Sequence, residues 1–85
     1  MSAEHVPTDL KFHEPVLLRS GHTGISAIST LAQARDLLRD GWPETRGKWY
    51  HAASRACADA VDGRSSVHIA RRIFVYAVEE SRLQA

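Results

Sequence analysis

Cys57, the single thiol, is the first residue whose type could do chemistry. A nucleophilic thiolate needs a neighbouring cation or a helix N-terminus to lower its pKa. Cys57 falls instead in the later half of a helical pattern, on a face of alanines, where cysteine behaves as a small apolar residue. Five histidines, His5, His13, His22, His51 and His68, raise the question of metal. No two of them are three or four residues apart, and no second cysteine or Glu-x-x-His completes a zinc site. Neither a metal nor a cofactor is expected.

Carboxylates are no more suggestive. Asp36 and Asp40 lie one helical turn apart, interleaved with Arg35 and Arg39, and Glu79 and Glu80 flank the end of the last helical segment. Charges placed in this way read as a solvated face. No G-x-S-x-G and no phosphate-binding G-x-x-x-x-G-K-[ST] occurs. A chain of 85 residues also has little room for an ordinary ligand pocket. An enzyme is therefore not expected. Two loops could hold an anion. Arg64, Ser65 and Ser66 follow Gly63 and precede a helix, combining a cation, two hydroxyls and free backbone N–H groups. Arg46-Gly47-Lys48 does the same before the preceding helix. Capping accounts for the same serines and glycines without a ligand.

The elements that place these residues follow from periodicity. Residues 1–11 are polar and aperiodic and are expected to form a flexible tail, with one small domain over 12–85. Pro15-Val16-Leu17-Leu18-Arg19 predicts a strand with proline at its first position. Gly21 to Gly24 reads as a turn, and Ile25-Ser26-Ala27-Ile28 as the returning strand of a hairpin over about 15–28. Ser29 and Thr30 offer an N-cap to a first helix, about 30–40, with Leu31, Ala34, Leu37 and Leu38 on one face. Gly41 stands where a left-handed residue would close it, and Pro43 prevents continuation. Trp42, held extended by the proline after it, is expected to fold back over the core.

A second helix, about 46–62, carries an inner stripe of Trp49, Ala53, Ala56 and Ala60 flanked by Tyr50, Cys57 and Val61. Its small residues let a neighbouring helix approach closely. Gly63 closes it, and Ser65 or Ser66 caps a third helix, about 66–83. There Val67, Ala70, Phe74, Ala77 and Val78 form the inner stripe, widened by Ile69, Ile73 and Tyr76. Val75 falls on the wet side with His68, Arg72 and Glu79. Arg71, at the stripe's border, is expected to pack its stem and pair its head with a carboxylate. The fold class is α+β, a hairpin packed on three helices.

Composition sets outer limits. The chain is 44% hydrophobic and 25% charged, which argues against disorder over most of its length. No apolar run is long enough to cross a membrane, and Met1-Ser2-Ala3-Glu4-His5 lacks the features of a secretory signal. A lone cysteine suits a reducing compartment, so a cytoplasmic location is expected. The net charge of +1 is small for a nucleic-acid binder. It is unevenly spread: residues 1–45 carry four basic and six acidic side chains (−2), and residues 46–85 seven and four (+3).

The landmarks Pro15-Val16, Ile28-Ser29, Trp42-Pro43, Gly47, Tyr50, Cys57, Gly63 and Ala70-Arg71-x-x-Phe74 together resemble domain of unknown function family 982, over roughly residues 12–82. The resemblance implies a small bacterial α/β protein in the cytoplasm and brings no catalytic residue, ligand or partner with it. From the residues alone, the leading expectation is a non-enzymatic interaction or regulatory module that binds a protein partner or itself as a homodimer. Leu17, Val75, Arg71 and Arg72 are the candidate contact residues, because Leu17 and Val75 have no evident place inside. The competing expectation is a nucleic-acid-binding regulator using the basic second half.

Overall fold

The computed structural model describes residues 10–19, 24–44 and 46–85. β1 (Lys11–Arg19) and β2 (Ile25–Thr30) pair antiparallel, with Val16 opposite Ile28, Leu17 opposite Ala27 and Leu18 opposite Ser26. Alternation along the strands turns Val16, Leu18 and Ile28 into the core and Leu17 and Ile25 outward. β1 is longer than the expected 15–19, because the register shifts between Lys11 and Val16. Pro15, which has no N–H to give a ladder, lies in this irregular stretch rather than at the strand's start. Phe12 is buried ahead of it, and Leu10 packs against the core. Of the expected tail over residues 1–11, Leu10 and Lys11 instead belong to the folded domain, while residues 1–9 and the turn at Gly21-His22-Thr23 lie outside the described residues. Gly24 has a φ of +94°, a conformation open to glycine.

Thr30 ends β2 and caps α1 (Leu31–Asp36). Its Oγ1 accepts from the Gln33 N–H at 3.1 Å, and the Gln33 Oε1 accepts from the Thr30 N–H at 3.3 Å, a reciprocal capping box. α1 then widens into a π-helical stretch, Leu37–Gly41. Gly41 does not adopt the left-handed conformation expected of it. It supplies space instead, since a Cβ there would come 2.9 Å from the Leu37 Cδ1. Trp42 leaves in an extended conformation and is buried, as its place before Pro43 implies.

α2 (Lys48–Val61) buries Ala53, Ala56, Cys57 and Ala60, and α3 (Val67–Glu80) buries Ala70, Phe74, Ala77 and Val78. Among the described residues the two form the most extensive helix–helix contact, each burying alanines. Gly63, at φ +81°, reverses the chain between them as expected. Val61 does not complete the α2 stripe but is exposed. α3 stops before the expected Leu83: Ser81 ends it and Arg82, at φ +59°, turns the chain back. The Arg19 N–H then donates to the Leu83 carbonyl at 2.7 Å, and Gln84 bridges to Leu18. Residues 83–84 thus cover part of the outer edge of β1. The architecture is an N-terminal hairpin on three helices, α+β.

Candidate functional site

Leu17 and Ile25 are the candidate surface's most exposed large apolar residues, at 54% and 65%. The register makes them diagonal neighbours on one face: Leu17 stands opposite Ala27, and Ile25 lies two residues along β2 from Ala27. Ala27 is itself exposed. Leu17 is therefore where the sequence placed it, on the outside of a strand whose other face fills the core. Ile25 was missed, because ISAI alternates too weakly to assign its faces before the partner strand is known.

The other expected contact residues separate. Val75 is half-buried and packs against the core, which corrects its assignment to the wet side. The cause is β1, which lies against α3 on the side where Arg71 and Val75 stand one turn apart. Among the described residues Arg71 pairs with no carboxylate. Its Nε donates to the Glu14 carbonyl at 2.8 Å and its guanidinium to the Pro15 carbonyl at 3.4 Å. These carbonyls sit in the irregular stretch of β1, so Arg71 replaces the ladder bonds lost there. Arg72 remains exposed.

The two candidate anion loops are built as helix caps. The Ser66 Oγ accepts from the Ile69 N–H at 3.0 Å and is the N-cap of α3. Ser65 is half-buried, and Arg64 is exposed with the Asp62 carboxylate 3.9 Å away. At the start of α2 the anion comes from the chain itself. The Glu80 carboxylate accepts from the Trp49 N–H (3.2 and 3.3 Å) and the Tyr50 N–H (3.3 Å). Glu80 thus caps the helix across 31 residues while remaining exposed to solvent. A Cβ at Gly47 would overlap this carboxylate and force it to shift.

Cys57 is fully buried, and burial pushes its thiol pKa up to about 11, with the positive charge of Arg35 opposing the rise. The thiol is thus held in the unreactive protonated form. His13 and His68, far apart in sequence, bring their rings to 5.2 Å across β1 and α3. Among the described residues, no group of three His, Cys, Asp or Glu gathers in a way that could hold a metal ion. No described helix is long and apolar enough to cross a membrane.

Comparison with known proteins gives one match. The family model described as Protein of unknown function (DUF982) matches residues 14–85. No curated protein and no solved structure matches.

Proposed function

Because the chain belongs to the DUF982 family, whose description names no activity, we propose from its surface that it is a non-enzymatic interaction module of the cytoplasm. The observation that carries this reading is the outer face of the hairpin, where Leu17 and Ile25 lie exposed as diagonal neighbours. Exposed apolar side chains standing singly are ordinary, but adjacent ones on a rigid strand pair suit a protein contact. The partner is another protein or a second copy of the chain, docked over Leu17, Ile25 and Ala27. A second copy is the simpler occupant, since two copies of this apolar face can cover each other across a two-fold axis, the commonest assembly.

Nucleic-acid recognition is not favoured. α3, the helix that would enter a groove, turns Ala70, Phe74, Ala77 and Val78 into the core and ties Arg71 to β1.

Sedimentation velocity at tens of micromolar, followed by capture of partners from the native host, tests the reading. Leu17→Lys should abolish dimer or partner binding while the circular dichroism spectrum stays unchanged. Wild type and Leu17→Lys behaving alike in both experiments would refute it.

A further inference from the structure

A second surface feature, apart from the hairpin face, lies between the π-helical stretch and α2. It is an open pocket of about 300 Å³ lined by Arg35, Leu38, Arg39, Tyr50, Ser54 and Ala58. The polar groups around it are not equivalent. Arg39 is engaged by two carboxylates of its own segment, Asp36 at 3.0 Å and Asp40 at 3.1 Å. Arg35, one turn earlier, makes no ion pair or hydrogen bond among the described residues. Its charge nevertheless reaches α2, where it opposes the effect of burial on Cys57.

The Tyr50 hydroxyl donates to the Leu38 carbonyl at 2.8 Å. That carbonyl belongs to the last turn before Trp42 and has no helical partner to come, so the phenol satisfies it. Having spent its proton, the phenol oxygen can offer only lone pairs to a ligand. Ser54 stands one turn further along α2, half-buried, its hydroxyl without a partner among the described residues. Leu38 and Ala58 supply apolar contact. The pocket thus combines an uncommitted guanidinium, a free hydroxyl, an acceptor-only oxygen and an apolar lining. Its setting beside a π-helical stretch is one where ligand sites recur.

We propose that this pocket binds a small carboxylate carrying an adjacent hydrogen-bond donor, as a short hydroxy acid or the terminal carboxylate of a peptide does. The Arg35 fork takes the carboxylate through paired N–H groups, as this geometry favours. Ser54 donates a further bond, the ligand's own donor meets the Tyr50 oxygen, and its carbon body rests on Leu38 and Ala58.

The test is a titration followed by the ¹⁵N–¹H resonances of the Arg35 side chain and the Ser54 amide. Lactate stands for the free acid and N-acetylalanine for the peptide end. Saturable binding of either, with Kd on the order of millimolar, is expected for a pocket this small. Whichever of the two binds more tightly identifies the source. Propionate lacks the donor and N-acetylalaninamide lacks the carboxylate, and both should bind far more weakly. Arg35→Gln should weaken binding about tenfold and Ser54→Ala less, while the exposed control Lys11→Gln leaves it unchanged. Equal binding by Arg35→Gln, by propionate or by inorganic phosphate would overturn the proposal, as would the lack of any saturable shift. An unchanged melting temperature for Arg35→Gln keeps a folding defect out of the comparison.

Discussion

Cys57 and Trp42 show two ways in which a buried side chain matters. Cys57 fills a small apolar space, so Cys57→Ala should cost only about 1 kcal/mol. The thiol should react slowly with a thiol reagent at neutral pH, and fast labelling of the native protein would contradict its burial. The raised pKa also links stability to alkaline pH. Below the ordinary value of 9.0 the thiol is protonated in both states and contributes no pH dependence. Between about 9 and 11 the unfolded chain loses this proton and the folded chain keeps it, so stability falls as pH rises through that window. Urea melts at pH 8 and pH 10.5 should show a smaller loss for Cys57→Ala than for wild type. Trp42 carries more. Its indole packs against Tyr50 and Phe74, with ring centroids 5.9 and 6.0 Å away, and its Nε1 donates to the Ser81 Oγ at 3.1 Å. Trp42→Ala should cost about 3–5 kcal/mol, measured by chemical denaturation. A melting temperature close to wild type would mean the indole contributes little to the core.

The start of α2 depends on an element distant in sequence. No side chain at Gly47 caps it, and the Glu80 carboxylate does so from the end of α3. Glu80→Ala should therefore cost about 1 kcal/mol, as the loss of a helix cap does. Gly47→Ala should cost a similar amount by displacing the same carboxylate. The two should not add: in the Glu80→Ala background Gly47→Ala has nothing left to displace, and a double-mutant cycle should return a clear coupling energy. Additive losses would show that Gly47 is needed for some other reason. The irregular part of β1 works on the same principle, because its carbonyls are satisfied by Arg71 of α3. Local breaks in the ladder and in the helix are both closed by charged side chains of α3.

The whole chain is closed by residues 83–84, which return from α3 to the outer edge of β1. An exposed strand edge invites pairing with another chain, and this return covers part of it. Self-association through the β1 edge is thereby narrowed, leaving the outer face of Leu17 and Ile25 as the open one. Removing residues 82–85 should free the Arg19 N–H and the β1 edge. The truncated chain should melt at a lower temperature and associate more strongly in sedimentation at equal concentration. If it associates no more than wild type, the return strand has no guarding role.

The order of the elements, a hairpin and then three helical segments, was legible in the residues because it rests on short-range chemistry; the π-helical widening at Leu37–Gly41 was not. Thr30 and Ser66 can cap a helix wherever they stand before one, Gly63 can turn left-handed without help, and the alanine stripes of α2 and α3 repeat every helical turn. Leu17 was likewise readable as an outward residue, since successive strand residues point to opposite faces. What lay beyond the sequence involves partners many residues away. Val75 looked like surface, and Arg71 was given a carboxylate instead of the β1 carbonyls, because nothing local says that β1 crosses that side of α3. The capping role of Glu80 was not readable because its partners, the Trp49 and Tyr50 N–H groups, are 31 and 30 residues distant. The pocket at Arg35 exists only where the π-helical stretch and α2 pack side by side. Periodicity assigns a residue to a face of its own element, and only packing settles what that face meets.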